Sequence, residues 1–367
     1  MSNHASRARS PRRLGAALAA MALLAAGCGT DALDSTDSGS TSPSIAGTAL
    51  VSIGAGLSGE AGLSATQYGV GLANVAVLAF DSSGRLWAGT ADYADDGTDG
   101  VYVVTAAGAT PTKVIAGEHT VLGLLWVGNE LFVASKASVV AYSGFDGTSF
   151  ASHRTVIAFP SDVGEVNALA LSASGRIVVG VSSSCDACTP TEKYSAGIMS
   201  FLPDGTDLQV YASDIRAAVG LAFYPGTDTL LATMNQRDDL GDATPGDWLS
   251  VVSEGQSWGF PDCYGQGGSC ATEPGPIAVL DKHAAVSDVA VVTGQLGTSV
   301  GDAAIVAEWA TGKLLAVSLD PSDLAATSTA TVFLTGVAKP VAVVVGPDGA
   351  LYTGDWASGT LYRIAAA

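Results

Sequence analysis

Cations are scarce in this chain, and so are histidines and long apolar runs. Lysine and arginine number 16 against 35 aspartates and glutamates, a net charge of −19, and Arg7, Arg9, Arg12 and Arg13 all fall before Gly27. Beyond Gly27 there remain 12 basic against 35 acidic residues. Such a surface repels phosphate backbones and anionic headgroups, which excludes nucleic acid as a partner. Only four histidines occur, and none lies between His153 and His283. The apolar stretch from Leu14 to Ala26 is too short to span a bilayer as a mature helix. Helical periodicity never persists beyond a turn or two, which excludes an α-rich fold.

The first residues set the compartment. A basic segment without acidic residues leads into the Leu14–Ala26 stretch and then into Leu24-Ala25-Ala26-Gly27-Cys28. This order resembles a lipobox, in which Cys28 becomes the acylated first residue of the mature chain. An ordinary signal peptide with a chance cysteine is the alternative. Residues 1–27 are therefore read as a lipoprotein signal peptide. Residues 28–44, rich in Gly, Ser, Thr and Asp, are read as a lipidated cysteine with a flexible linker, and 45–367 as the folded domain. Gly29 and Thr30 are not the aspartate that retains lipoproteins at the inner membrane in some Gram-negative envelopes. An exported monomer held at the outer membrane or cell surface by its lipid alone is expected.

Four further cysteines form two local pairs, Cys185 with Cys188 and Cys263 with Cys270. An even count in an exported chain reads as disulfides. A zinc site would need all four thiolates to converge, with no histidine near either pair. Thr189, not histidine, follows Cys188, which argues against haem attachment. Local pairing is expected, and cross-pairing between the two loops is its rival.

A unit of roughly 50 residues recurs along the domain. Each copy opens with an apolar strand, turns through polar residues and returns in a strand of type L-[WYF]-[VA]-[GA]. Clear copies are Val75–Thr90 (VAVLAFDSSGRLWAGT), Val166–Val181 (VNALALSASGRIVVGV) and Pro340–Asp355 (PVAVVVGPDGALYTGD). Leu122–Ser135, Val219–Met234 and Val286–Trp309 complete the set of six. Short strands in units of this length are the signature of propeller blades, with the first strand crowded at the centre. The expected fold is all-β, a six-bladed β-propeller. Its last unit runs out of chain after Ile364, so the ring must be closed by an N-terminal strand. Ala49–Ile53 is the expected closing strand, paired beside Thr360–Ile364.

Units three and four carry a more particular order. Ser183-Ser184-Cys185-Asp186-Ala187-Cys188 is followed by Ile215-Arg216-Ala217-Ala218-Val219-Gly220-Leu221-Ala222-Phe223. Asn235-Gln236-Arg237-Asp238-Asp239-Leu240-Gly241-Asp242 comes next, and then Trp258-Gly259-Phe260-Pro261-Asp262-Cys263-Tyr264-Gly265. This succession, strongest over Val166–Gly265, resembles the glucose/sorbosone dehydrogenase family, soluble quinoproteins that bind pyrroloquinoline quinone (PQQ) on a six-bladed propeller.

The resemblance implies a PQQ- and Ca²⁺-dependent oxidoreductase acting on a sugar-like small molecule. It implies Arg216 and Lys339 as the cations facing the quinone, with Ala217 where the family has asparagine. It also implies a Ca²⁺ loop at Asn235–Asp242, through the carbonyls of Gln236 and Arg237 with Asp238 and Asp239 adding charge. The family's basic histidine aligns with Gly164, and Gly164→His is expected to restore it. Glu165 beside it and His283, just ahead of unit five, are the catalytic candidates that remain. A solvated acidic turn is the plain alternative for Asn235–Asp242, and Trp258, Phe260, Trp309 and Trp356 are read as blade packing. Without the base, the same face suits a non-catalytic propeller that binds a carbohydrate or protein. A lactonase-type hydrolase is a third reading, although no acidic and amide ligand set spread over inner strands is evident.

Overall fold

The computed structural model describes residues 49–94 and 96–367. Cys28, the signal peptide expected at 1–27 and the linker expected at 28–44 lie outside the described residues. Six sheets form the six blades, antiparallel throughout except where Gln256–Ser257 adds parallel to Gln209–Ser213 at the outer edge of blade three. Their innermost strands are Val75–Phe80, Gly123–Val127, Val166–Leu171, Ala218–Phe223, Val286–Thr293 and Pro340–Val345. The only helical element among the described residues is one 3₁₀ turn, Gly241–Ala243. Among the described residues no helix is long and apolar enough to cross a membrane.

The core lies between blades rather than inside any one of them. Val75, Leu78, Leu86 and Ala88 of blade one pack against Ala342, Ala350, Tyr352 and Leu361 of blade six. Val166, Ile177 and Val179 of blade three meet Phe132, Ala134 and Val139 of blade two in the same manner. Second strands sit between two neighbours, so every residue of Leu86–Thr90, Ile177–Val181, Leu230–Met234 and Leu351–Asp355 is buried. The small residue ending the L-[WYF]-[VA]-[GA] pattern marks where the next blade's inner strand presses closest. A Cβ on Gly180 would lie 2.1 Å from the Ala218 carbonyl oxygen, and one on Gly89 2.6 Å from Val121. Packing this close leaves no room for a methyl group.

The ring closes with a strand other than the expected one. Leu63–Gly69 pairs antiparallel beside Thr360–Ala366, with Ala65 opposite Ile364 and Thr66 opposite Arg363. Val51–Gly54 and Leu57–Gly59 instead extend the outer edge of blade five, where Leu57–Gly59 pairs with Ala330–Thr335. A fourth strand has water on one side, so it need not be apolar throughout. Leu63, Ala65 and Tyr68 are buried while Thr66 and Gln67 face out. That alternation made it less conspicuous than the more apolar run before it.

Three buried aspartates tie the loops of one end together. Asp99 accepts from Thr120 N at 3.1 Å, and Asp355 from Lys339 N at 3.0 Å. Asp247 accepts from Gln236 N at 2.8 Å and Val286 N at 2.9 Å, joining the Asn235–Asp242 loop to the start of blade five. Burial raises Asp247 to about 6 despite those two donors.

Candidate functional site

A cavity of about 1000 Å³ opens at the end of the ring where the inner strands begin. Its wall comes from the loops that lead into inner strands and those that follow second strands. Gly164, Glu165, Arg216 and Asn235 all line it. The two disulfides, Cys185–Cys188 and Cys263–Cys270, are both formed locally, and Cys185 is part of the wall.

Gly164 occupies a place no other residue fits. A Cβ there would lie 2.4 Å from the Ser183 carbonyl oxygen and 2.6 Å from that of Ser182. Histidine at 164 is therefore blocked by backbone, which corrects the expectation that it would restore a base. Beside it, Asn167 is fixed by donating to the Glu165 carbonyl at 3.2 Å and the Ser182 hydroxyl at 2.9 Å.

Arg216 is held from within. Its Nη2 donates to Asp186 Oδ1 at 2.7 Å, Nε donates to the Asp186 carbonyl at 3.0 Å, and Nη1 to the Asn235 carbonyl at 3.2 Å. Asp186 also accepts from the backbone N–H groups of Asp238 and Asp239 at 3.1 and 2.9 Å. One carboxylate on the first disulfide loop thus ties together the arginine and the acidic loop.

The expected metal-binding residues are engaged with protein partners. Arg237 grips both Asp239 oxygens, at 2.6 and 2.7 Å, and donates to the Pro261 carbonyl at 3.0 Å. Gln236 donates to the Tyr264 carbonyl at 2.8 Å. Asp238 meets His283 Nδ1 at 2.8 Å. Among the described residues no group of three or more His, Cys, Asp or Glu side chains could hold a metal ion.

His283 does not reach the cavity wall, contrary to expectation. Its Nε2 lies 3.1 Å from the Gly241 carbonyl, which only accepts, while Nδ1 faces the Asp238 carboxylate. Two acceptors ask for two N–H donors, so Asp238 first, then the Gly241 carbonyl, raises the imidazole's pKa. Its role in this structure is to clamp the acidic loop.

Lys339 sits behind the wall at the same end. Its Nζ lies 4.1 Å from the centroid of the Trp309 ring and 3.5 Å from the Ala310 carbonyl. Trp309 and Trp356, expected as packing, both line the cavity and are partly buried. Trp258 and Phe260 are packing, with Trp258 stacked on Trp248 at 4.6 Å. Tyr93 joins the two tryptophans and keeps 57% of its surface exposed. All three aromatics directly follow second strands or lie just beyond them, and that shared position was the signal in the sequence. Asp288, at the base of the cavity, was not singled out by any motif.

These features test the fit of a tricarboxylate quinone. Its carboxylates need cations, whereas the wall offers Lys136 and Arg216 against Asp92, Asp162, Glu165 and Asp288. As arranged, the residues do not fit. A quinone carboxylate would have to displace Asp186 from Arg216.

No family model matches the chain, and no curated protein matches it by sequence. Solved structures do match. A Trichoderma reesei carbohydrate-active enzyme of family AA12, solved in a calcium form, superposes with a TM-score of 0.68 at 16% identity, covering 89% of this chain and all of that one. The PQQ-bound aldose sugar dehydrogenase of Streptomyces coelicolor gives 0.66 at 18% identity, covering 84% and 99%. The soluble aldose sugar dehydrogenase of Escherichia coli, in its apo form, gives 0.67 at 14% identity, covering 83% and 100%. The chain shares the six-bladed fold of the soluble sugar dehydrogenases. At these identities the likeness is one of fold, and the residues of the cavity speak for themselves.

Proposed function

We propose that the cavity binds a neutral, sugar-like ligand, and that the chain is an exported, lipid-anchored, sugar-handling propeller. The division of the cavity wall carries this reading. Tyr93, Trp309 and Trp356 come from blades one, five and six, a continuous arc of the ring. Facing them are Ser161, Asp162, Glu165, Asn167 and Ser183, gathered at blade three, which lies across the ring from blade six. A pyranose presents C–H faces that stack on aromatic rings and hydroxyls that bond to carboxylates, amides and hydroxyls. The excess of acidic groups on the wall disfavours anionic ligands.

Titration of the purified chain with D-glucose and D-xylose, followed by tryptophan fluorescence, tests this. Binding is expected in wild type and is expected to weaken about tenfold in Trp309→Ala, which loses one stacking face. No fluorescence change with either sugar overturns the reading.

Sugar oxidation is a second reading, favoured by the fold shared with a PQQ-bound dehydrogenase. Because Arg216 is already paired with Asp186, quinone binding would require that pair to open first. A bound-quinone absorbance appearing on titration with PQQ and Ca²⁺ would support it.

A further inference from the structure

The six innermost strands, Val75–Phe80, Gly123–Val127, Val166–Leu171, Ala218–Phe223, Val286–Thr293 and Pro340–Val345, contain one ionisable side chain among them. It is Asp288. At the matching position, where the inner strand bulges away from strict pairing, blades three, four and six carry Ala168, Gly220 and Ala342. A carboxylate among small residues on a crowded axis has no packing role to fill.

Its position is equally particular. A second cavity of about 520 Å³ lies at the opposite end of the inner strands, and the two cavities have Asp288 and Ala168 as common lining. Asp288 is therefore the floor of the sugar-like site and the one charged group between the two ends of the ring. Oδ1 accepts from Val289 N at 2.9 Å and Oδ2 from Val343 N at 3.2 Å. Each oxygen of an ionised carboxylate has a second lone pair.

We propose that Asp288 is the residue that reads a hydroxyl of the ligand at the base of the cavity, accepting its hydrogen bond as a carboxylate. This rests on the sugar-binding reading and names a contact within it. An ionised carboxylate accepts more strongly than a protonated one, so occupancy of the site is linked to the proton on Asp288. Burial pushes this group up to about 7, against the pull of its two N–H donors. The charged groups nearest to it are few. Asp92, Lys136, Asp162, Glu165 and Arg216 line the same cavity. Tyr224 is the one other titratable group lining the second cavity, and it donates to Asp302. Glu308, opposite Val286 in its own blade, is turned to Asp281 N and the Thr311 hydroxyl. The hydrogen bonds of Asp288 come from Val289 N and Val343 N, and the linkage is expected to follow that single group.

The test titrates D-glucose into the full chain across about pH 5.5 to 8.5, using wild type, Asp288→Asn and Trp309→Ala. Wild-type affinity is expected to rise about tenfold from pH 6 to 8. Asp288→Asn is expected to bind weakly with a flat profile, and Trp309→Ala to bind weakly while keeping the slope. Asparagine preserves the volume and an oxygen for Val343 N, and circular dichroism checks that the variant folds. If it does not, ¹³C NMR of the aspartate carboxyls in wild type gives the second readout. A carboxyl titrating near pH 7 and moving down on glucose addition supports the proposal, and the absence of one overturns it. A flat wild-type profile, or an Asp288→Asn profile that matches wild type, overturns the role of Asp288 and leaves the sugar reading standing. No glucose binding at any pH overturns both.

Discussion

Asp186 is the residue whose removal should change the site most. Its carboxylate pairs with Arg216 at 2.7 Å and caps the N–H groups of Asp238 and Asp239. The Arg216 side chain is 20% exposed, so losing the partner leaves a largely desolvated cation and two backbone donors unanswered. A hydrogen bond to a charged group contributes roughly 1.5–3 kcal/mol, and the exposed rim of this one argues for the lower half, so Asp186→Ala should cost about 2 kcal/mol. In a domain of this size that is a fall in melting temperature of roughly 3 °C. Asp186→Asn, which keeps an acceptor but not the charge, should lose less. The alanine variant also frees the guanidinium toward the cavity. PQQ should therefore bind Asp186→Ala about tenfold more tightly than wild type in an absorbance titration. Calorimetric melting and the quinone titration are read together. A melting temperature within about one degree of wild type, with no gain in quinone affinity, would refute the view that Asp186 occupies the anion position on Arg216.

Buried carboxyls set an unusual pH dependence. Burial raises Asp247 to about 6 and Asp288 to about 7, and pushes Glu308 up as well. The folded state binds protons that the unfolded chain has already released, so stability should fall as pH rises from about 5 to above 7. The fall is on the order of 1.4 kcal/mol for every tenfold by which folding strengthens a carboxyl's hold on its proton. Melting temperatures measured across that range that rise or stay level would contradict it, and Asp288→Asn should flatten part of the slope. On the proposed lipid anchor, Cys28→Ala should abolish palmitate incorporation, and label entering the variant as strongly as wild type would rule out Cys28 as the lipid site.

The architecture was legible because a blade repeats its own physics. Apolar inner strands recur in every unit, and in blades one, three and six the second strand carries glycine at the same crowded place, Gly89, Gly180 and Gly354. The closing strand was not legible, since Leu63–Gly69 is half-solvated and alternates like many outer strands. The site was partly legible. Arg216 and Glu165 were found from motif order, and the structure places both on the cavity wall. What motif order does not carry is who pairs with whom. Asp186 on Arg216, Arg237 on Asp239 and His283 on Asp238 are contacts between loops of different blades or tight turns. Asp288 escaped because one carboxylate in an apolar strand reads as an ordinary polar interruption. Its meaning appears only when six strands are laid around one axis.

Closure by Leu63–Gly69 also governs how the molecule can come into being. Ser64 and Ala365 are joined by a hydrogen bond across 301 residues of sequence. The blade that seals the ring is thus assembled from a strand made early in synthesis and three made at its end. A chain halted before blade six holds only one side of that seam. The ring therefore seals late, and the entropy of bringing such distant segments together is met last. The same seam predicts where the folded protein is most easily opened, by peeling Thr360–Ala366 away from the strand that closes the ring.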